Sequence, residues 1–474
     1  MHNIMWFRRD LRVHDNPALS EAVGNGPTVA VFCITEKTWA EHRISPAKKS
    51  LLFRQLDKLE RALSTLNIPL IIVDCERFSR IPAALFKAVK SLSETHVPCA
   101  LYFNHEYELD ESQCTQDVTQ AAAQHGIAVH DYHDQCAIRP GAITTASGDM
   151  YKVFTAFKKN YIHNFLLLAR PVYPTPKKQA PTGIHSDLSV IKRCAHGDHH
   201  KPWQSLWPAG ENEAHKRLKA FLKSPIDTYD KWRDFPSVKA TSTLSPYLAI
   251  GAISTRQCFA HAGERGREDI ANAISSGAAT WIVELVWREF YRHLITCHPK
   301  LSRYQPFIAK TDAIPWSHNE ALFEKWTNGT TGYPIVDAAM RQLQAIGWMH
   351  NRLRMVTAMF LTKHLLIDWR LGERFFMEHL VDGDLASNNG GWQWSASTGV
   401  DAAPYFRIFN PVRQSERFDP KGLFIREYVP ALQSLDNKSI HLPSKSQALE
   451  LGYPPPIVVH RDAVERTKAL FKAL

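Results

Sequence analysis

The sequence predicts an amino-terminal Rossmann-like α/β domain built on a parallel sheet, a long linker, and a larger carboxy-terminal all-α domain. Three observations predict it. Short β-branched runs alternate with amphipathic stretches over the first 135 residues, prolines and lysines break that pattern from residue 136, and the periodicity turns helical beyond residue 200. At 474 residues the chain also exceeds the roughly 100–200 residues of one ordinary core.

Taken in order, Ile4–Phe7, Thr28–Ile34, Leu70–Val73, Ala100–Phe103 and Ile127–His130 read as strands, and Lys48–Leu66 as one of the helices between them. Such alternation predicts a parallel sheet with helices on both faces. Gly24-Asn25-Gly26 lacks the later glycine of a dinucleotide fingerprint and is read as a turn. Residues 136–200 form the linker, marked by Pro171, Pro174, Pro176, Pro181, Lys177 and Lys178. Its end, Cys194-Ala195-His196-Gly197-Asp198-His199-His200, imitates a metal site without a second ligand pair and is expected to be a solvated loop. Across 201–474, the segments Ala214–Leu222, Ala279–Cys297, Ile335–Ile346, Asn351–Leu366 and Ala463–Leu474 repeat apolar residues at helical spacing.

Composition narrows the function classes. With 44% hydrophobic and 22% charged residues the chain is an ordinary folded protein. A net charge of +10 suits a polyanionic partner, because neutralising phosphates releases counterions, although a solvated basic surface gives the same number. Eight cysteines without a CxxC pair predict reduced thiols, neither a disulfide framework nor a zinc site. The start MHNIMWFRRDLRVHD puts arginines where a secretory signal needs apolar residues, and Asp10 and Asp15 interrupt any transit peptide. No run approaches a membrane span, so a cytoplasmic protein is expected.

Chemistry concentrates in the second domain. Eleven of thirteen tryptophans lie beyond residue 200, several of them among polar residues rather than in plain core sequence. Thr241-Ser242-Thr243-Leu244-Ser245-Pro246-Tyr247-Leu248 precedes a helix with Ser245 read as its N-cap and Pro246 at the first helical position, which makes either a phosphate site or a plain cap. On Ala279–Cys297, Trp281, Glu284 and Arg288 fall at i, i+3 and i+7, with Trp287 on the adjoining stripe. Glu284 and Arg288 are then either an i,i+4 ion pair or polar groups working on a base beside a stacking indole. A second helix, Trp348–Met355, sets Trp348, Asn351, Arg354 and Met355 on neighbouring positions of one face. The stretch Asp382–Trp394 reads as a glycine-rich loop, too polar and aromatic for a linker and suited to a cofactor site.

Six segments, MWFRRDLRVHDNPAL, TSTLSPYLAIGAIS, WIVELVWREFYRH, TGYPIVDAAMRQL, GWMHNRLRM and DGDLASNNGGWQWSASTGVDAAPYFRIFNP, resemble the photolyase and cryptochrome family, in its order and over essentially the whole chain. The resemblance implies an α/β domain holding an antenna chromophore and a helical domain binding FAD non-covalently. By its motifs, Tyr229, Thr241, Ser242, Thr243, Leu244 and Ser245 bind the FAD phosphates and ribityl chain. Trp281, Arg288, Trp348, Asn351, Arg354, Asp382, Asp384 and Asn388 surround the rest, with Arg354 pairing Asp382 and Asn388 facing flavin N5. A neutral amide at that position suits a fully reduced flavin and favours repair over light sensing.

The implied activity is light-dependent repair of cyclobutane pyrimidine dimers in DNA, by electron transfer from excited reduced FAD to a flipped-out dimer. The alternative is a cryptochrome-type blue-light photoreceptor. Glu284 and Asn388 are the implied catalytic residues, and Trp287, Trp394, Met355 and Asn351 the lesion contacts. Trp316, Trp369 and Trp392 match the family's electron-transfer chain to an oxidised flavin. Arg352, Arg407 and Arg413 are either phosphate contacts or partners of local carboxylates. Asn351 stands where relatives that repair (6-4) photoproducts carry histidine, which points to cyclobutane dimers and the bacterial class I branch. For the antenna the resemblance implies 5,10-methenyltetrahydrofolate at Asp110 and Glu111, with a deazaflavin or no antenna as alternatives. Here Asp110 replaces a frequent asparagine and Arg303 a common lysine. The expected partner is UV-damaged DNA, and the expected state a monomer without an obligate protein partner.

Overall fold

A computed structural model describes residues 2–91, 98–167, 172–194, 202–272 and 274–474. Its five strands, β1 (His2–Phe7), β2 (Thr28–Ile34), β3 (Leu70–Asp74), β4 (Pro98–Asn104) and β5 (Ala128–Tyr132), pair in parallel in the order β3-β2-β1-β4-β5. All five sit where the β-branched runs predict them. A parallel sheet buries both faces, and alternate residues divide between two layers. Ile4 and Trp6 of β1 join Val31 and Phe103 on one face, whereas Met5 and Phe7 join Phe32 and Tyr102 on the other. Helices α1 (Pro17–Gly24) and α2 (Pro46–Thr65) cover the second face, and α3 (Ile81–Ser91) and α4 (Leu109–Gln124) the first.

The connection after β5 is stitched down rather than loose. Helix α5 (Phe154–Leu167) lies within it, and the buried Glu289 carboxylate accepts from Ala137 N at 2.7 Å and from the Tyr161 hydroxyl. Pro171, the metal-like run 195–200 and the side chain of Cys194 lie outside the described residues.

The helical part continues through α6 (Glu211–Lys223), α7 (Ser245–Ile250), α8 (Thr255–Ala271), α9 (Gly277–Cys297), α10 (Pro334–Ile346) and α11 (Asn351–Met359). It ends with α12 (Trp369–His379), α13 (Leu385–Ala396) and α14 (His460–Lys472). The predicted helix Asn351–Leu366 is α-helical only to Met359, and a π-helical turn, Phe360–His364, completes it. One apolar core runs from the α2 face of the sheet into this part, through Leu56, Phe221, Trp281 and Phe290. A second core holds Trp316, Trp326, Trp369 and Trp392. Buried charges lock the two halves together: Asp134, just after β5, takes Arg12 at 2.5 Å and Arg256 of α8 at 2.6 Å. Those guanidinium groups hold its carboxyl below the ordinary range although burial alone would raise it.

Six cysteines, at 33, 75, 114, 136, 258 and 297, are free thiols, and the side chains of Cys99 and Cys194 lie outside the described residues. No described helix is long and apolar enough to cross a membrane.

Candidate functional site

The stretch Asp382–Trp394, expected as a glycine-rich loop, is mostly helix. Asp384 caps α13 by accepting from Ser387 N at 3.0 Å, and only Asp382-Gly383-Asp384 remains as a turn. Gly390 serves packing instead of looping: a Cβ on it would lie 2.1 Å from the Tyr291 ring, so glycine is what lets α13 approach α9.

Each carboxylate of the turn faces an arginine. Arg354 of α11 donates to both oxygens of Asp382 at 2.8 and 3.1 Å, the pairing that the family resemblance implied. Arg292 of α9 meets Asp384 at 2.7 Å, a partner the sequence did not indicate. Burial would raise the Asp384 carboxyl, yet Arg292, Arg288 and Arg9 hold it well below the usual carboxylate range. Between them, the Gly383 carbonyl accepts from Lys48 Nζ at 2.6 Å, so α2 of the α/β domain grips the turn. Burial lowers this lysine to about 8.

Asn388 donates its amide nitrogen to the Glu373 carbonyl at 2.9 Å, leaving Oδ1 without a protein partner among the described residues. Glu284 and Arg288 do not pair, contrary to the i,i+4 option: Glu284 takes Arg233 at 2.6 Å, while Arg288 donates to the Gln135 carbonyl at 2.7 Å and to Thr255 Oγ1 at 2.9 Å. Both choices follow from neighbours more than 30 residues distant in sequence, which outcompete a weak exposed helix pair. Trp287 is half-buried and stacked on Phe154 with 3.4 Å between ring centroids. Trp394 and Met355 are half-buried, and Asn351 is exposed at the start of α11.

Trp348 precedes α11 rather than lying on it, since His350 is the N-cap. Its indole N–H donates to Ser245 Oγ at 3.2 Å. That bond corrects the expectation of Ser245 as N-cap: α7 begins at Ser245, spans six residues, and has no side-chain cap. Thr243 stands at φ +49° with its hydroxyl accepting from Arg217 at 2.9 Å, Thr241 and Ser242 are half-buried, and the Leu244 side chain is in the core. Tyr229 packs edge-on to Phe221, which also touches Trp281.

Trp316, Trp369 and Trp392 share the second core, and the indole nitrogens of Trp316 and Trp392 are buried without partners among the described residues. Gly372 makes room for Trp392, because a Cβ there would lie 2.1 Å from its ring. Arg352 is tied to Asp234 at 2.7 Å and lies over Phe418, which favours local pairing over a phosphate contact. Arg407 and Arg413 are exposed, with no side-chain ion pair among the described residues.

In the α/β domain, Asp110 accepts from Arg303 at 2.6 Å and lies 3.1 Å from His42, bridging the two halves of the chain. Glu111 and His42 line a cavity of about 90 Å³ at the carboxyl ends of β1 and β2, together with Trp6, Phe32, Trp39 and Lys48. Burial would lower His42, but Glu111 and Asp110 raise it above its ordinary value.

Sequence reasoning missed Lys48, Arg292, Gly372 and Glu373. Only Arg292, at i+8 from Glu284 on the same helix, carried a spacing signal.

The family model described as "DNA photolyase" matches residues 3–179, and that described as "FAD binding domain of DNA photolyase" matches residues 281–473. Deoxyribodipyrimidine photo-lyase of Escherichia coli strain K12 is 43% identical over 99% of this chain and 98% of its own length. The enzyme of the same name from Vibrio cholerae is 42% identical over 99% of both. Among solved structures, a bacterial class III photolyase from Agrobacterium tumefaciens superposes with a TM-score of 0.86 at 33% identity, over 100% of this chain and 97% of that one. An archaeal photolyase from Sulfolobus tokodaii, solved with two FAD molecules, gives 0.82 at 30% identity over 100% of both chains. Two domain matches, relatives that run the full length and a shared fold lead to one conclusion: the chain belongs to the DNA photolyase family.

Proposed function

We propose that the chain is a light-dependent DNA-repair enzyme that splits cyclobutane pyrimidine dimers. The observation that carries this is its identity of 42–43%, end to end, with enzymes named for that reaction. The photoreceptor alternative is not favoured by relatives of that name.

The residues present fit FAD. Among the described residues Arg292 Nη1 is buried without a partner, the half-buried Asn388 has no partner on Oδ1, and Arg288 meets neutral oxygens but no carboxylate. An orphaned buried donor beside a free amide oxygen and an arginine without a carboxylate suits a polar, anionic ligand. When bound and fully reduced, FAD would supply the light-driven one-electron chemistry. Tyr229, Thr241, Ser242, Thr243, Leu244 and Ser245 hold its phosphates and ribityl chain, Leu244 through its backbone. Trp281, Arg288, Trp348, Asn351, Arg354, Asp382, Asp384 and Asn388 enclose the remainder. With its nitrogen spent on α12, Asn388 would offer its amide oxygen as an acceptor to the reduced ring.

On the DNA side, Trp287 and Trp394 wall the flipped lesion, Met355 closes the pocket and Asn351 contacts the bases. Extrusion costs a few kcal/mol and costs least where the lesion already distorts the duplex. Glu284 hydrogen-bonds the pyrimidine edge, and the Arg233 guanidinium on it adds positive charge beside oxygens where negative charge develops. Trp316, Trp369 and Trp392 carry electrons inward when the flavin is oxidised, and Arg407 and Arg413 contact phosphates.

The domain limits fall at 135 and 200. The enzyme works as a cytoplasmic monomer, with 5,10-methenyltetrahydrofolate as second chromophore at Asp110 and Glu111; chromatography of the extracted chromophore separates this from a deazaflavin.

Selectivity tests the whole reading. Two oligonucleotides, one with a cyclobutane thymine dimer and one with a (6-4) photoproduct, are illuminated with prereduced enzyme. Repair of the first alone is expected; repair of the second alone overturns the substrate assignment.

A further inference from the structure

The indole of Trp287 has a support that comes from neither α9 nor α13. Phe154, the first residue of α5 in the connection between the domains, covers one face of it, with 3.4 Å between ring centroids and 9° between planes. Phe290 meets the same indole edge-on and Tyr291 lies tilted beside it, yet Trp287 stays half-buried and keeps surface for a ligand.

The place of Phe154 is fixed from two sides. Phe154, Phe157 and Tyr161 fall at i, i+3 and i+7 on one face of α5. There the two phenylalanines pack edge-on against Phe290, and the Tyr161 hydroxyl donates to buried Glu289. These contacts set the register of α5 on α9, so that its first residue lands on Trp287. From the other side, the Phe154 backbone N–H, one of the donors a helix start leaves unpaired, donates to Asp401 Oδ2 at 3.0 Å. Asp401 belongs to the loop after α13, and that loop is tied back to Trp394: Ala403 N donates to the Trp394 carbonyl at 3.1 Å, and the Ala403 carbonyl accepts from Ser397 Oγ at 2.6 Å. The stack on Trp287 and the bond toward Trp394 therefore meet in one buried residue.

We propose that Phe154 is a positioning residue for lesion recognition: it holds the Trp287 indole in one plane and, through Asp401, keeps that wall registered against the Trp394 side. An indole already fixed on one face loses little freedom when a flipped dimer packs on it, whereas an unsupported one must be ordered at the moment of binding. The connection between the domains is then part of the lesion pocket and not a tether alone. The inference rests on Trp287 and Trp394 walling the dimer.

The test measures binding of prereduced holoenzyme, in darkness, to an oligonucleotide with one thymine dimer and to the same oligonucleotide undamaged. Phe154→Leu keeps an apolar side chain and removes the flat ring. It is expected to lose about 2- to 10-fold in dimer affinity, the range for one aromatic pair, while binding undamaged DNA as wild type does. In a Trp287→Leu background the same substitution should add no further loss, because nothing is left to position. Should Phe154→Leu lose FAD, Asp401→Gly decides: glycine takes the φ of +45° there without strain and removes the acceptor of the Phe154 N–H, and it must lower the preference for dimer over undamaged DNA. Wild-type dimer affinity in Phe154→Leu, a loss as large on undamaged DNA, a loss that persists in the Trp287→Leu background, or an unchanged preference in Asp401→Gly overturns the proposal. Trp287→Leu binding the dimer as wild type does overturns the reading beneath it instead.

Discussion

Asp384→Asn removes one charge and almost nothing else. Asparagine is as good an N-cap as aspartate, so the bond to Ser387 N and the start of α13 survive. What is lost is the partner of Arg292, a guanidinium 3% exposed. Removing one member of a buried pair costs about 3–5 kcal/mol, because the other charge stays buried and uncompensated. At about 2.1 cal/mol/K per residue, 474 residues unfold with an entropy near 1 kcal/mol/K, so the melting temperature should fall by about 3–5 °C if the chain melts as one unit. The double variant Asp384→Asn/Arg292→Met should regain much of that loss. A second signature is acid dependence. Asp384 has a depressed carboxyl, so its contribution is full above the unfolded carboxylate range and fades as pH falls through and below it. Asp384→Asn should lack this part of the acid slope. Thermal unfolding between pH 3 and 7 measures both. A single variant within 1 °C of wild type, or a double variant no better than the single, refutes the argument that this pair holds the turn.

Three further outcomes are expected. Gly372→Ala places a methyl against the Trp392 ring and should slow light-driven flavin reduction in thiol, measured by absorption, while prereduced enzyme still repairs; equal photoreduction rates would contradict it. Trp316→Phe should do the same without a lost hydrogen bond, since its indole nitrogen has no partner among the described residues; loss of repair by prereduced enzyme would count against the electron-chain role. Arg407→Ala should weaken DNA binding uniformly across sequences and reduce the slope of log affinity against log salt by about 1, whereas Arg352→Ala, losing a residue paired to Asp234, should leave that slope unchanged.

The strands were legible to within two residues at each end, because the inner strands of a parallel sheet are buried β-branched and aromatic runs. Helix α13 was not: two adjacent glycines and three consecutive polar residues read locally as a loop. The contact of Gly390 with Tyr291, about 100 residues earlier, supplies the reason for glycine inside a helix. Ser245 looked like a cap because hydroxyls before a proline usually are, and its diversion to Trp348 is a long-range bond. The Arg354–Asp382 pair was legible only through family resemblance. Glu373 and Lys48 carried no local signal at all, since a single charge in an amphipathic helix reads as solvated and burial is decided by what packs above it.

The most direct measurement is repair of an oligonucleotide carrying one defined thymine dimer by purified, prereduced enzyme, under near-ultraviolet or blue light and in darkness. Restoration of the two thymines in light alone is predicted. No restoration in light, with FAD bound and confirmed reduced, would contradict the account.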